Sequence, residues 1–195
     1  MENKIKVIEN FLNEDDANIL LDFCKNNPEL YSQTSHEPNS FWDTRTLPIF
    51  GHNIPQKIQN IGWDYLTLIS QNISLSAGGK SVWCDTMNFV KWWDGYVQHP
   101  HADGEEPNGE PHPYPWRKFG CVYYLNDDFD GGEIHFPNFN LEIKPKSNMV
   151  AFFPGDMVHL HGVRNTTNGV RHTLASFWGF DESHKMKDIY VSRHS

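Results

Sequence analysis

Short β-like runs separated by turn residues fill the chain from about residue 81 onwards. Several short strands with regular turns between them are typical of a β-sandwich or barrel. Seven or eight strands at this spacing predict a jelly roll, also called a double-stranded β-helix. The expected strands cover residues 82–93, 118–125, 133–136, 141–143, 148–153, 157–163 and 171–180, with a tight turn at Asp130-Gly131-Gly132.

The first 80 residues have a different pattern, which predicts one short strand and two helices. The strand is expected at residues 5–9, and Asn13 is suited to cap a helix that Asn27-Pro28 ends. Residues 29–50 are polar and irregular, which indicates a long loop. A second helix begins at Asn53 and Pro55. Its predicted apolar stripe consists of Ile54, Ile58, Ile61, Tyr65 and Leu68.

Helices followed by strands predict one mostly-β (α+β) domain over residues 1–195. Residues 1–80 are expected to form a helical support that packs on one sheet of the core. Residues 81–180 are expected to form the jelly-roll core itself. A chain of 195 residues is long enough to bury a sizeable core of this kind.

Composition argues against several classes of partner. The formal net charge is −9 and no run of Lys or Arg occurs, so no nucleic-acid or membrane partner is expected. No segment resembles a signal peptide or approaches the roughly 20 apolar residues of a membrane span. Cys24, Cys84 and Cys121 lie far apart and are interpreted as reduced core thiols. A cytoplasmic location is expected, and the oligomeric state stays open.

A His-x-Asp pair and a distant histidine offer a set of metal ligands. His101 and Asp103 are two residues apart, so on an extended strand both side chains project from one face. With His161 they supply two imidazoles and one carboxylate, which cover one face of an octahedral Fe(II) and leave other positions open. A lone His-x-Asp is common, however. The sequence leaves other histidines as competitors, namely His99, His112, His135, His159 and His172.

Arg171 follows His161 by ten residues and suits a site that holds an acid beside the metal. A guanidinium can bind a carboxylate through two hydrogen bonds, as a clamp on the far end of a dicarboxylic 2-oxo acid would require. A tyrosine hydroxyl nearby would complete such a pocket. The alternative for Arg171 is an exposed arginine on a strand.

The ordered motifs resemble those of the prolyl 4-hydroxylases, which are Fe(II)- and 2-oxoglutarate-dependent dioxygenases. The motifs are Tyr123-Tyr124-Leu125-Asn126, Phe129-Asp130-Gly131-Gly132-Glu133, Phe136-Pro137, Ile143-Lys144-Pro145, Ala151-Phe152-Phe153 and His161 followed by Arg171. Residues 7–12 also resemble the entry to that family's domain. The resemblance covers nearly the whole chain and is strongest between Gly95 and Trp178.

The resemblance implies a role for each matching residue. His101, Asp103 and His161 would be the catalytic iron ligands. Arg171 and Tyr124 would bind the far carboxylate of 2-oxoglutarate, and Thr173 would share their pocket. The implied reaction hydroxylates a prolyl residue in a peptide or protein with O₂, while 2-oxoglutarate is decarboxylated to succinate and CO₂. Ascorbate is an expected accessory.

Other interpretations remain open at this stage. The same chemistry could act on a free amino acid or small metabolite, and a non-catalytic metal-binding jelly-roll module is an alternative from another class. Ala175 and Phe177 stand where the family often has Thr and Trp, which leaves the inner pocket wall undefined. Residues 104–117 are expected to be either a surface loop or a lid that contacts substrate through Tyr114 and Trp116.

Overall fold

Short antiparallel strands make up most of the regular structure that follows the second helix. The computed structural model describes residues 4–33, 42 and 44–186. The described helices are α1 (Glu14–Asn26) and α2 (Gln56–Ser76). The described strands are β1 (Lys6–Glu9), β2 (Thr46–Pro48), β3 (Trp83–Trp92), β4 (Gln98–His101), β5 (Phe119–Tyr124), β6 (Asp130–Gly131), β7 (Ile134–Phe136), β8 (Leu141–Ile143), β9 (Met149–Pro154), β10 (His161–Val163), β11 (Thr166–Thr167) and β12 (Arg171–Gly179).

Two sheets of the described chain pack against each other. The larger has the strand order β1-β9-β5-β12-β3-β2, and the smaller has the order β4-β10-β7-β8. Strands that are distant in sequence are neighbours in both sheets, as a jelly roll requires. The predicted fold class, a mostly-β jelly roll with N-terminal helices on one sheet, is confirmed.

Strand alternation divides the larger sheet's side chains between two apolar layers. Tyr124 and Phe153 face the smaller sheet, where Phe153 packs edge-to-face on Phe136 with ring centroids 5.0 Å apart. Tyr123 and Phe152, their neighbours in sequence, belong to the layer that contains residues of both helices. Because both faces of this sheet are covered, β9 is buried along its whole length.

Helix α1 begins at the cap that the sequence predicts. The Asn13 side chain accepts a hydrogen bond from the Asp16 amide at 2.9 Å, and acidic residues occupy the first turn, where they favour the positive end of the helix dipole. Pro28 directly follows the helix and starts a 3₁₀ helix, Pro28–Gln33. That helix and β2 occupy part of the segment predicted to be a loop, so that prediction was wrong there. Residues 34–41 and 43 lie outside the described residues.

The buried face of α2 includes Ile58, Ile61 and Tyr65, as predicted, but not Leu68. Leu68 is 39% exposed, whereas Ile69 is fully buried. The predicted stripe placed Leu68 on the core side, and Leu66, Ile69 and Ile73 continue the buried face instead.

Two strand assignments near the C-terminal half need correction. Asp130-Gly131-Gly132 is not a simple turn, because β6 pairs with β11 there. Residues 157–163 are not one continuous strand: Met157–His159 is a 3₁₀ helix whose first turn is capped by Asp156, and β10 begins only at His161. Because of this break, His159 and His161 do not lie on one strand.

The three cysteines are free and buried, as expected for core thiols. Neither described helix combines the length and apolarity needed to cross a bilayer.

We expect Ile69→Ala to lower the free energy of unfolding by about 2–5 kcal/mol, because it leaves a cavity between α2 and the larger sheet. The matched control is Leu68→Ala on the same helix, which should cost less than about 1 kcal/mol because that side chain is partly in solvent. Urea denaturation of both variants measures the difference. Equal losses would contradict the assigned buried face.

Candidate metal centre and active site

His101, Asp103 and His161 converge into one cluster. Each offers a ligand atom, and these atoms all lie within 4.8 Å of one another. The Nε2 atoms of both histidines are 3.6 Å from Asp103 Oδ1. Asp103 and His161 are buried, and His101 is half-buried. The cluster therefore offers two imidazoles and one carboxylate to a single ion.

Sheet register brings the two histidines together. His161, the first residue of β10, pairs with His101, the last residue of β4, and their ring centroids are 4.5 Å apart. The sequence pattern predicted that Asp103 lies on the same strand as His101. That prediction was wrong, because β4 ends at His101 and Asp103 lies just beyond it. The chain after it is held by a hydrogen bond from the Gly104 amide to the Gly155 carbonyl at 2.9 Å. This contact keeps the carboxylate beside the imidazoles.

Backbone carbonyls orient both imidazoles. Nδ1 of His101 lies 3.0 Å from the His99 carbonyl, and Nδ1 of His161 lies 3.2 Å from the His159 carbonyl. A carbonyl can only accept, so each imidazole donates from Nδ1 and carries its lone pair on Nε2, the atom a metal would use. In this structure the Nε2 of His101 accepts a hydrogen bond from the side-chain amide of Gln98 at 3.2 Å. In both cases the carbonyl comes from two residues earlier in the chain.

The charges in the cluster favour a deprotonated carboxylate. Burial would raise the pKa of Asp103, but nearby His161, His101 and Arg117 hold it below its usual value. Burial lowers the pKa of His161, which favours the neutral imidazole that a metal needs. Burial also opposes the charged form of His101, but hydrogen bonding and attraction to Asp103 raise the pKa of His101 above its usual value.

Arg171 is buried rather than exposed on its strand. It is 1% exposed, and its Nε and one terminal nitrogen have no hydrogen-bond partner. The guanidinium carbon lies 5.0 Å from the centre of the Tyr124 ring, and the Tyr124 hydroxyl is also buried without a partner. Gly132 makes room for Arg171, because a Cβ there would come within 2.9 Å of its Cδ.

Unpaired polar groups of this kind are rare in protein interiors, since burying a charge without a partner is strongly unfavourable. Burial raises the pKa of Tyr124, and the charge of Arg171 offsets part of that shift. The two residues together form a donor pair that a carboxylate would satisfy.

One cavity of about 230 Å³ connects these groups. Its walls include all three residues of the cluster and Arg171. Thr173 also lines it, with its hydroxyl donating to the Val90 carbonyl at 3.3 Å. Tyr124 is not among the lining residues but lies beside Arg171. The aromatic residues of the wall are Trp42, Trp92, Tyr114, Phe153 and Phe177.

The segment 104–117 contributes one of its two predicted aromatic contacts. Tyr114 lines the cavity, as the lid interpretation requires. Trp116 does not: its indole donates to Asp85 at 2.8 Å and its ring stacks on His184. Arg117 also donates to Asp85, and its guanidinium lies between the rings of Tyr114 and Phe177. The segment is therefore fastened to β3 at its end.

None of the competing histidines joins the cluster within the described residues. His159, the nearest in sequence to His161, is buried in the 3₁₀ helix, where it contacts Asp156 at 2.7 Å and stacks on Phe139. His112 lines the cavity but binds the backbone amide of Tyr114.

Gly120 is a site residue that the sequence analysis did not identify. It lies on β5 behind the Asp103 carboxylate, and a Cβ at this position would be 2.2 Å from Asp103 Oδ2 and 2.8 Å from the Phe153 ring. A glycine inside a strand pattern often marks such a close approach, and this was the available signal. Absence of a side chain at 120 lets the carboxylate occupy its place.

Comparison with known proteins supports the resemblance to Fe(II)- and 2-oxoglutarate-dependent oxygenases. Residues 87–179, which contain the cluster and Arg171, match the family model of the 2OG-Fe(II) oxygenase superfamily. The predicted resemblance is confirmed. Prolyl 3-hydroxylase 2 of Mus musculus is 35% identical over 98 residues, and prolyl 3-hydroxylase 1 of Rattus norvegicus is 31% identical over 84 residues. These matches cover 44% and 40% of this chain, but only 14% and 12% of the relatives.

Solved structures of prolyl hydroxylases share the fold of this chain. The viral collagen prolyl hydroxylase vCPH of Paramecium bursaria Chlorella virus-1, in its 2OG complex, has a TM-score of 0.66 at 16% identity, covering 92% of this chain and 97% of that one. A Trichoplax adhaerens prolyl hydroxylase in complex with a peptide of hypoxia inducible factor has a TM-score of 0.67 at 19% identity, covering 94% and 86%.

We expect Gly120→Ala to weaken the binding of Fe(II) or Mn(II) about tenfold or more, because the new methyl group displaces the Asp103 carboxylate. Equilibrium titration of the metal-free protein measures the affinity. Gly51→Ala is the control, because Gly51 does not line the cavity and a Cβ there would lie 3.2 Å from its nearest atom. A folded Gly120→Ala variant with unchanged affinity would contradict this role.

Replacement of His161 should abolish metal binding, whereas replacement of His159 should leave it largely intact. His161→Ala removes a candidate ligand atom, while His159→Gln removes a contact to Asp156 and the stacking on Phe139, neither of which involves the cluster. Titration with Mn(II), alongside thermal unfolding to verify the fold, distinguishes them. The reverse pair of phenotypes would show that the ligands are assigned in the wrong register.

Proposed function

We propose that this chain is an Fe(II)- and 2-oxoglutarate-dependent dioxygenase that hydroxylates a prolyl residue in a peptide or protein. The observation that carries the proposal is a buried guanidinium with unpaired donors, at Arg171, in the same cavity as the cluster of His101, Asp103 and His161. A metal site alone does not require Arg171. A metal site with a diacid cosubstrate does.

The donor set fits ferrous iron. Two imidazole nitrogens and one carboxylate form the facial set typical of non-haem Fe(II) oxygenases, and three protein ligands leave positions for a cosubstrate and O₂. Asp103 Oδ1 lies 3.6 Å from Nε2 of both histidines and would be the ligand oxygen, while Oδ2 lies toward Gly120. Cys121 also lines the cavity, but burial raises the pKa of its thiol to about 12, so it stays protonated and is no competing ligand.

The residues around the ligands would position the cosubstrate. Bound iron would supply O₂ activation coupled to decarboxylation of 2-oxoglutarate to succinate and CO₂. Arg171 would bind the distal carboxylate through its unpaired nitrogens, and the Tyr124 hydroxyl would add a second donor. Thr173 would complete the wall beside them. Ascorbate would serve as an accessory reductant that keeps the iron ferrous.

Aromatic rings in the cavity wall support a prolyl substrate. Trp42, Trp92, Tyr114 and Phe177 offer flat apolar surfaces, the kind of surface on which proline rings pack in peptide-binding domains. Phe177 occupies a position where the sequence departs from the family pattern, yet it supplies an aromatic surface there and packs on Arg117. The relatives named as prolyl hydroxylases support the same substrate class.

We expect Arg171→Gln to raise the KM for 2-oxoglutarate at least about tenfold, because a charge-assisted pair of hydrogen bonds to the distal carboxylate is lost. Succinate formation at varied 2-oxoglutarate gives the value. Arg164→Gln is the matched control, since Arg164 is exposed and bonded to Glu142. An unchanged KM in a folded Arg171→Gln enzyme would remove Arg171 from the cosubstrate site.

Incubation of a proline-containing peptide library with the enzyme, Fe(II), 2-oxoglutarate and O₂ tests the substrate. We expect a gain of one oxygen on proline, detected by mass spectrometry and absent with His161→Ala. Standards of 3- and 4-hydroxyproline then assign the carbon. Oxygen gain on a free amino acid or metabolite alone would keep the chemistry and reject the peptide substrate. Absence of succinate in every mixture would favour a non-catalytic module.

A further inference from the structure

A second polar cavity lies on the opposite face of the sheet from Arg171. In the pairing of β12 with β3, Arg171 opposes Trp92, and the next rung pairs His172 with Lys91. Because successive side chains of a strand point to opposite faces, His172 and Lys91 face away from the catalytic cavity. They line a separate cavity of about 630 Å³, whose wall also includes Cys24, Lys25, Pro28, Trp93 and Asp128.

The walls of this outer cavity carry excess positive charge on a chain whose net charge is −9. Lys25 is paired with Asp128, with 2.9 Å between Nζ and the carboxylate. Lys91 donates to the Pro28 carbonyl at 3.2 Å and lies 4.3 Å from the centre of the Tyr31 ring. These contacts use part of its donor capacity, and the nearby carboxylate of Glu29 offsets part of its charge, although Glu29 does not line the cavity.

His172 supplies the second observation. It is 6% exposed, and its Nδ1 is buried without a hydrogen-bond partner. Burial, with help from the charges of Lys25 and Lys91, lowers the pKa of His172 to about 4, so its imidazole is neutral near pH 7. A neutral imidazole still has one N–H to donate. The Cys24 thiol contributes no negative charge, because burial raises its pKa to about 12.

We propose that this outer cavity is a binding site for a small organic carboxylate, held by Lys91 and by the Nδ1–H of His172. An anion there would meet the ammonium group of Lys91, which keeps donor capacity beyond its bond to Pro28, and the unpaired Nδ1 of His172, which together match a single carboxylate group. Trp93 and Pro28 offer apolar surface for its carbon skeleton. The carboxylate of Asp128 opposes a compact dianion in the same place.

Nuclear magnetic resonance of the His172 ring tests this site directly. The metal-free protein with ¹³C-labelled histidine is titrated with succinate as the carboxylate probe, and with sulfate as a dianion without a carbon skeleton. The His172 signal is assigned by its loss in His172→Gln. We expect a saturable shift with succinate, and an affinity about tenfold weaker in Lys91→Gln. Lys57→Gln, an exposed lysine of α2 outside the cavity, should match wild type.

Three outcomes would overturn the assignment. One is the absence of a saturable shift in folded protein. Another is sulfate binding as tight as that of succinate, which would mean a general anion site. The third is a shift lost in Arg171→Gln but kept in Lys91→Gln, which would place the succinate in the catalytic cavity. The readout needs neither iron nor turnover, so its failure leaves the proposed function untouched.

Discussion

The pairing of β4 with β10 is the contact on which the candidate active site depends. It sets His161 opposite His101, although 60 residues separate them in the chain. Each strand is short, so neither would hold this register alone. The register comes from the smaller sheet, where β10 also pairs with β7, and from the apolar layer between the sheets that covers β7. The cluster is therefore a product of packing between the two sheets, where Phe136 and Phe153 contact His161 directly.

The polar groups around the catalytic cavity fall into two sets, those with hydrogen-bond partners in the protein and those without. Both imidazoles are fixed by carbonyls, and Arg117 is fixed by Asp85. The groups without partners are Asp103 Oδ2, the Tyr124 hydroxyl and the nitrogens of Arg171. A folded protein tolerates such unpaired groups where a ligand satisfies them. The unpaired donors of Arg171 and Tyr124 are therefore the observation that supports the proposed diacid site.

Successive side chains of β12 point to opposite faces of the larger sheet, so this strand contributes to two different cavities. Arg171 and Thr173 line the catalytic cavity, while His172 lines the outer one. The same rule explains why Tyr123 packs with the helices and Tyr124 with the smaller sheet. One strand can line two cavities because both faces of the larger sheet are covered.

Local sequence patterns determined many of the secondary-structure elements and the candidate ligands of this protein. The cap at Asn13, most strand positions and the candidate ligands follow from residue chemistry and spacing, because those depend on neighbours in sequence. Other features depend on contacts between distant segments. Leu68 is exposed although its spacing fits the stripe, His159 is separated from His161 by a 3₁₀ helix, and Gly120 matters only because Asp103 lies behind it. Burial of Arg171 was likewise decided by tertiary structure, since an arginine on a strand has no preferred face until both sheets are packed.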